Sequence, residues 1–332
     1  MSGEVLVTGG AGFVGSHVVD ALLARGERVR VLVRATTDRR FLDAARVALV
    51  TGDVGDESPR GAEELAAAVA GVSLVIHAAG ITQARRAEDF ARVNARGTGR
   101  LAGAAAAAGV PRLVLISSQA AAGPSPEGRA RVEHDADAPV SAYGESKRAG
   151  EVAARAALEG TGTELVIVRP PSVYGPRDRA FLELFRLVKG GIVPLHHASR
   201  QWVSLVHAGD LASGILAAAS RGRAGSTYYV TDGAPRTSAA IVDAIARALG
   251  RNPLRLDVPR TVLDLAVGAA EGWTAWTGQP ARLTRDRVVE WTAPRWTLSD
   301  ERARRELEWA STIEFGAGIE ETAAWYRSAG WI

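Results

Sequence analysis

An α/β fold with a doubly wound, mainly parallel sheet and a smaller C-terminal region is what the sequence predicts, on three observations. Short apolar runs alternate with helically spaced segments through the first half of the chain. A glycine-rich turn, Val5-Leu-Val-Thr-Gly-Gly-Ala-Gly-Phe-Val-Gly15, joins the first run to the first helix. Small and hydroxyl residues then gather at the carboxyl ends of later strands, where open α/β sheets bind ligands.

Taken in order, Val5 to Val7 is a short buried strand, and Phe13 to Arg25 is helical through Phe13, Val14, His17, Val18, Ala21 and Leu22. Between them Gly10, Gly12 and Gly15 fit G-x-G-x-x-G. The first glycine serves the turn, the second a close approach of pyrophosphate, and the third helix-on-strand packing. Phosphates would rest on free N–H groups at the positive end of the helix, which makes the sheet Rossmann-like. Arg28 to Arg34 is the second strand. An acidic residue about 20 positions past the glycines ordinarily holds the adenosine ribose. Arg34 stands there instead, suited to a 2′-phosphate or simply one more surface arginine in an arginine-heavy chain.

Ala48 to Asp53 is the third strand, and Asp53 either accepts from an adenine amino group or closes a plain turn. A helix over Pro59 to Ala70 and a strand over Ser73 to Ala78 follow. His77 reads as a packed core histidine, and Ala78-Ala79-Gly80 would let backbone approach a cofactor. The helix from Ala87 to Ala108 carries Asn94, a structural tie or part of a water relay. Arg112 to Ser117 is the next strand, and Gly123 to Pro139 reads as an exposed loop. In the helix from Ser141 to Ala156, Tyr143 and Lys147 stand four apart on one face. An ammonium there would lower the phenol from its usual pKa of about 10 and make it a general acid or base.

Composition narrows the possibilities. The chain has 332 residues, 47% of them hydrophobic and 23% charged, which suits one large domain or two modest ones. Without cysteine there are no disulfides, thiolate metal sites or cysteine nucleophiles. Acidic residues nearly balance the arginines and no dense basic block occurs, so no nucleic-acid partner is expected. His196-His197 is the only adjacent histidine pair and has no ligand partner at metal spacing, so no metal is expected. No signal-like segment and no run of about 18 apolar residues appears, giving a cytoplasmic expectation with no integral membrane segment.

The sequence resembles the extended short-chain dehydrogenase/reductase family of NAD-dependent epimerase/dehydratase type. The matching motifs are Thr8-Gly-Gly-Ala-Gly-Phe-Val-Gly15, Gly52-Asp53, His77-Ala-Ala-Gly80, Asn94 with Gly97-Thr98, Ser117-Ser118, Tyr143-x-x-x-Lys147 and Arg169-Pro-Pro-Ser-Val-Tyr-Gly-Pro176. The resemblance implies a catalytic Ser-Tyr-Lys set with Asn94 as relay. The serine is placed at Ser118, because Gly123 lies five residues beyond it as in the family pattern, with Ser117 as second choice. It further implies that a dinucleotide lies along Gly9, Gly10, Gly12, Phe13, Val14, Gly15, Arg34, Asp53, Val54, Ala78, Ala79, Gly80, Ser117, Tyr143, Lys147, Pro170, Ser172 and Val173. Residues 1–175 would form the dinucleotide-binding domain. Residues 176–332 would mainly bind and cap the substrate, with a segment around 200–235 returning to the first domain. A homodimer built from two helices of each subunit is the family's common assembly.

The rest of the chain fits that outline. Glu164 to Arg169 is a strand, Phe181, Leu184, Phe185 and Val188 mark a helix, and Val203 to Ala212 is a returning strand with Asp210 as helix N-cap. Leu254 to Asp257 is a strand. The stripe Val262, Leu265, Ala266, Ala269 and Trp273 then reads as core, or else as a pocket wall or membrane-facing surface. Phe315 to Tyr326 is a closing amphipathic helix.

Three functions compete: an NADP(H)-dependent oxidoreductase acting on a carbonyl or secondary alcohol of an apolar small molecule, a nucleotide-sugar epimerase, and a dinucleotide sensor without chemistry. Tyr143 and Lys147 speak against the sensor. Gln119 and Ala120 after Ser118 leave no acid and base for sugar dehydration, and Val203-Ser204 stands where an epimerase carries Arg-Asp. The reading is therefore the oxidoreductase, with NADP(H) preferred through Arg34 and NAD(H) as the alternative.

Overall fold

The computed structural model describes residues 3–84, 86–196, 201–277 and 285–332, and the side chains of residues 271–287 and 291 fall outside the description. Six strands build most of the central sheet: β1 (Glu4–Thr8), β2 (Arg28–Val33), β3 (Val47–Thr51), β4 (Val72–His77), β5 (Arg112–Ile116) and β6 (Glu164–Arg169). A seventh strand, Thr227–Tyr229, joins the edge beside β6, giving the order Thr227–Tyr229, β6, β5, β4, β1, β2, β3 with every pairing parallel. The direction of winding reverses between β1 and β4. Their carboxyl ends therefore diverge into the crevice where such sheets take a ligand.

The parallel sheet is covered on both faces, which is why its strands read as continuous apolar runs. Successive side chains of β1 serve different layers: Val5 and Val7 pack with Val18, Val19 and Leu22, whereas Leu6 packs with Leu65, Val75 and Leu101. Each such fully buried aliphatic side chain contributes about 1.5–3 kcal/mol. A third core, around Tyr174, Phe185, Val193, Ile245, Ile319 and Tyr326, holds the C-terminal part together. The Phe315–Ser328 helix closes it, as its spacing predicted.

Four sequence expectations are corrected. The segment 87–108 is not one α-helix but Ala87–Phe90, a π-helical turn Ala91–Arg96, and an α-helix Gly97–Ala107. Asn94 sits inside the π turn, its carboxamide closing a pair of hydrogen bonds with the backbone of Ile81. The loop from Gly123 to Pro139 is not simply exposed: Arg131 is buried, donates to the carbonyls of Pro124 and Ala136, and pairs by its backbone with Leu298. Asp210 is not the N-cap of the Ala208–Arg221 helix. His207 caps it by accepting from the Gly209 amide, while the Asp210 carboxylate accepts from Ser311, Thr312 and Ile313 and ties down the C-terminal chain.

The fourth correction concerns the stripe of the Arg260–Thr277 helix, where Val262, Leu265, Ala266 and Ala269 face solvent and Val267 is the buried residue among the described side chains. The remaining stripe residue, the side chain of Trp273, lies outside the described residues, as does His197. Among the described residues no cluster of potential metal ligands occurs, and no helix is long and apolar enough to cross a membrane.

Candidate active site

The turn after β1 is built by its missing side chains. Gly9, not Gly10, takes the left-handed backbone, at φ +69°, and a Cβ there would stand 2.6 Å from the Ala79 nitrogen. At Gly15 a Cβ would lie 2.1 Å from the Gly9 carbonyl oxygen, which lets the Phe13–Ala24 helix start directly against the strand. Gly10 is needed for packing, since its Cβ would meet Val31 at 2.7 Å. Gly12 has only the Gly9 oxygen nearby, so its face is open, and the helix begins with no side-chain cap. The first-turn amides, Phe13 and Val14 among them, therefore have no side-chain acceptor at the helix start.

Further along the crevice Arg34 is exposed at the end of β2, its backbone amide donating to the Thr37 hydroxyl at 3.0 Å. Arg40 is engaged by Asp38. Phe41 anchors this loop, packing edge-on to Trp325 and under the Arg177 guanidinium, which itself pairs with Asp20 at 2.8 Å. Asp53 is half-buried and accepts from the Gly55 amide at 2.7 Å, a turn role that uses one carboxylate oxygen; Val54 beside it is buried.

At the end of β4 the Ala79 amide donates to the Thr8 hydroxyl. His77 is completely buried between Thr8 and Thr98, at 2.6 and 2.9 Å, and burial pushes its pKa down to about 3. It is the neutral core histidine the sequence suggested. Pro170 is buried and its carbonyl accepts from the Gln119 amide, while Val173 is half-buried and Ser172 exposed at the mouth.

The side chains that the family resemblance singled out lie near the carboxyl end of β5. Ser118 caps the short Gln119–Ala122 helix by accepting from the Ala120 amide, and its hydroxyl lies near enough to the phenol of Tyr143 to hold that group's pKa down. Ser117 is buried and its hydroxyl has no partner, so the two adjacent serines are distinguished by contact. Tyr143 is half-buried as a residue, but its phenol is enclosed by protein. Desolvation pushes its pKa up to about 12, against the Ser118 hydrogen bond that lowers it, and the Glu290 carboxylate raises it further.

The expected lowering of the phenol pKa is thus overturned. Burial, not the Lys147 charge, sets the phenol's shift, and the Lys147 ammonium donates to the Ile116 carbonyl at 2.8 Å. Burial lowers Lys147 to about 8, with Glu151, one helical turn on, opposing that shift. Asn94 reaches the same helix, donating to the Ser146 hydroxyl at 3.0 Å. Its own backbone carbonyl lies so close to the helix that a Cβ on Gly150 would stand 2.2 Å from it.

Two groups here escaped the sequence. Glu290, from the Arg285–Thr292 helix, accepts from the Ser141 hydroxyl at 2.5 Å and so reaches the start of the helix that carries Tyr143. Gln119 is buried with its amide nitrogen unpaired beside Ser118. A buried donor without a partner points to a ligand. The open Gly12 face, the uncapped helix and the orphaned Ser117 and Gln119 atoms together fit a dinucleotide lying across the β1–β4 crevice.

Comparison with known proteins agrees. The profile described as the NAD dependent epimerase/dehydratase family matches residues 5–231. The chain belongs to that family. Members similar to it include a ceramide reductase of Caulobacter vibrioides, 35% identical over 99% of this chain and 96% of that protein. A second is a 4-hydroxy-2-methyl-3-oxo-4-farnesyl-3,4-dihydroquinoline-1-oxide ketoreductase of Stigmatella aurantiaca, 31% identical over 96% and 95%. Among solved structures, the dTDP-glucose 4,6-dehydratase DesIV of Streptomyces venezuelae, determined with NAD bound, superposes with a TM-score of 0.79 at 28% identity, covering 99% of this chain and 98% of its own. This family member is accordingly an NAD(P)-dependent enzyme of the extended short-chain dehydrogenase/reductase type.

Proposed function

We propose that the enzyme reduces a carbonyl, or oxidises the matching secondary alcohol, of a mostly apolar small molecule, with NADP(H) as its preferred cofactor. One observation carries this reading: Tyr143 is paired with Ser118, and the residues that follow, Gln119 and Ala120, bring no carboxylate to the reacting carbon. The nicotinamide supplies or takes up the hydride. Ser118 holds the substrate oxygen, and Tyr143 gives it a proton during reduction. With its pKa near 12 the phenol is protonated at neutral pH, which suits a donor. Lys147 binds the cofactor ribose and sets the local potential, with Asn94 supporting the relay. The names of the ceramide reductase and the ketoreductase support carbonyl reduction of an apolar substrate.

The cofactor preference rests on Arg34, whose planar guanidinium at the end of β2 is exposed and suits a 2′-phosphate. Absorbance of reduced cofactor, followed with NADPH and a panel of ketones, aldehydes and nucleotide sugars, tests the proposal. Consumption with apolar ketones is expected. Interconversion of nucleotide sugars without net consumption would replace it with the epimerase reading.

A further inference from the structure

Ile192–Leu195 and Leu254–Asp257 form a small parallel ladder, with Leu254 opposite Ile192 and Leu256 opposite Pro194. Ladder partners point to the same side. On the other side Val193 is fully buried, while its ladder partner Arg255 is exposed and paired with Asp243. The outer side is not: Ile192 is 52% exposed, Leu254 60% and Leu256 44%, and Pro194 is exposed with them. Two residues further on, Val258 and Pro259 lead into the Arg260–Thr277 helix, which adds Val262 and Leu265 at 50% and 76% exposure. A sheet face turned to water is normally polar, and a contiguous apolar patch marks an interaction surface.

Charge identifies what covers it. Segments 183–196 and 243–265, which carry the patch and the ion-pair partners of its cations, hold six arginine and lysine residues against four carboxylates, whereas the whole chain has 40 against 37. Arg186 is paired with Glu183, Arg255 with Asp243 and Arg260 with Asp264. Lys189 and Arg251 are exposed at the end of the ladder where the Leu254 amide meets the Gly191 carbonyl. A second copy docked here by two-fold symmetry would set one cationic rim against another. An anionic bilayer matches the apolar face and the basic rim together.

We propose that this face seats the enzyme on an anionic lipid surface. Its aliphatic side chains enter the headgroup boundary, with Lys189 and Arg251 at the level of the phosphates.

The test is sedimentation of the full chain with vesicles of phosphatidylcholine alone and of phosphatidylcholine mixed with phosphatidylglycerol. Binding to the mixed vesicles is expected to be about tenfold tighter and to fall with added salt. Leu254→Ser with Leu265→Ser, and separately Lys189→Glu with Arg251→Glu, should each weaken it about tenfold or more at unchanged Tm, because all four side chains are exposed. Three results would overturn the proposal: no sedimentation with either vesicle, equal binding by the wild type and both variants, or a concentration-dependent dimer that Leu254→Ser dissolves in a protein that binds no vesicles.

Discussion

Ser141 and Glu290, 149 residues apart in sequence, share a short hydrogen bond that fastens the C-terminal Arg285–Thr292 helix to the first turn of the helix bearing Tyr143. The same Ser141 oxygen accepts from the Gly144 amide at 3.1 Å, so one hydroxyl caps the catalytic helix and anchors the segment beside it. A hydrogen bond to a charged group contributes about 1.5–3 kcal/mol, or roughly 10- to 100-fold. Glu290→Ala should therefore raise KM for the carbonyl substrate about tenfold while leaving the cofactor Kd unchanged, as steady-state kinetics and fluorescence titration would show.

Tyr143→Phe keeps the ring, its packing against Phe90 at 6.1 Å between centroids, and removes only the acid. Turnover is expected to fall on the order of 10² or more, with cofactor affinity preserved. Near-normal turnover would place the proton donor elsewhere.

Lys147 sets an alkaline limit. Its ammonium, lowered by burial to about 8 from an ordinary 10.5, is charged below that pH and neutral above it. Tyr143, at about 12, does not titrate in the same range. The kcat/KM profile for reduction should decline above about pH 8 with the loss of one proton, and Lys147→Met should abolish that limb along with most activity. In stability the sign is opposite: the folded state releases this proton earlier than the unfolded one, so the contribution of Lys147 to stability rises between about pH 8 and 10.5.

Arg34→Asp should reverse the cofactor preference. A carboxylate at the end of β2 accepts from a ribose hydroxyl and repels a 2′-phosphate, and the single lost contact corresponds to roughly 10- to 100-fold in affinity. Catalytic efficiencies with NADPH and NADH, measured in both proteins, give the answer; an unchanged ratio would reduce Arg34 to a surface residue.

Arg169 is clamped by Glu151 and Asp137, with Nη1 to Asp137 at 2.7 Å and Nη2 to Glu151 at 2.6 Å, and both Arg169 and Glu151 are buried. Removing one partner from such a cluster leaves a desolvated charge behind. Glu151→Ala should lower unfolding free energy by about 3 kcal/mol in denaturant titration. Because Glu151 also raises the pKa of Lys147, the alkaline limit of that variant should move to lower pH.

The sheet was legible because apolar runs, glycine spacing and helical periodicity are local signals, and β1 through β6 fall within a residue or two of where those signals stand. The Ser118–Tyr143 pairing was legible for a different reason: both residues lie in motifs whose spacing fixes their place on a strand end and on a helix. Glu290 left no such trace, since its contact depends on how the C-terminal chain returns across the sheet. Desolvation is equally absent from a sequence, and it decides the titration of Tyr143 and Lys147 against the pairing that their spacing suggested. Val262 and Leu265 read as core because an apolar stripe has the same pattern whether it meets protein or water.

The π turn at Ala91–Arg96 amounts to one residue more than a regular helix would use over the same rise. Each residue of an α-helix advances its side chain by about 100°, so the extra one puts the residues before it out of phase with those after it. Phe90, on one side, meets the Tyr143 ring, while Leu101, Ala102 and Ala105, on the other, remain in the core. Deleting a single alanine from this turn would straighten the helix and improve its backbone geometry. It would also rotate Phe90 off the tyrosine, so a shorter and more regular chain would carry a disordered reaction centre.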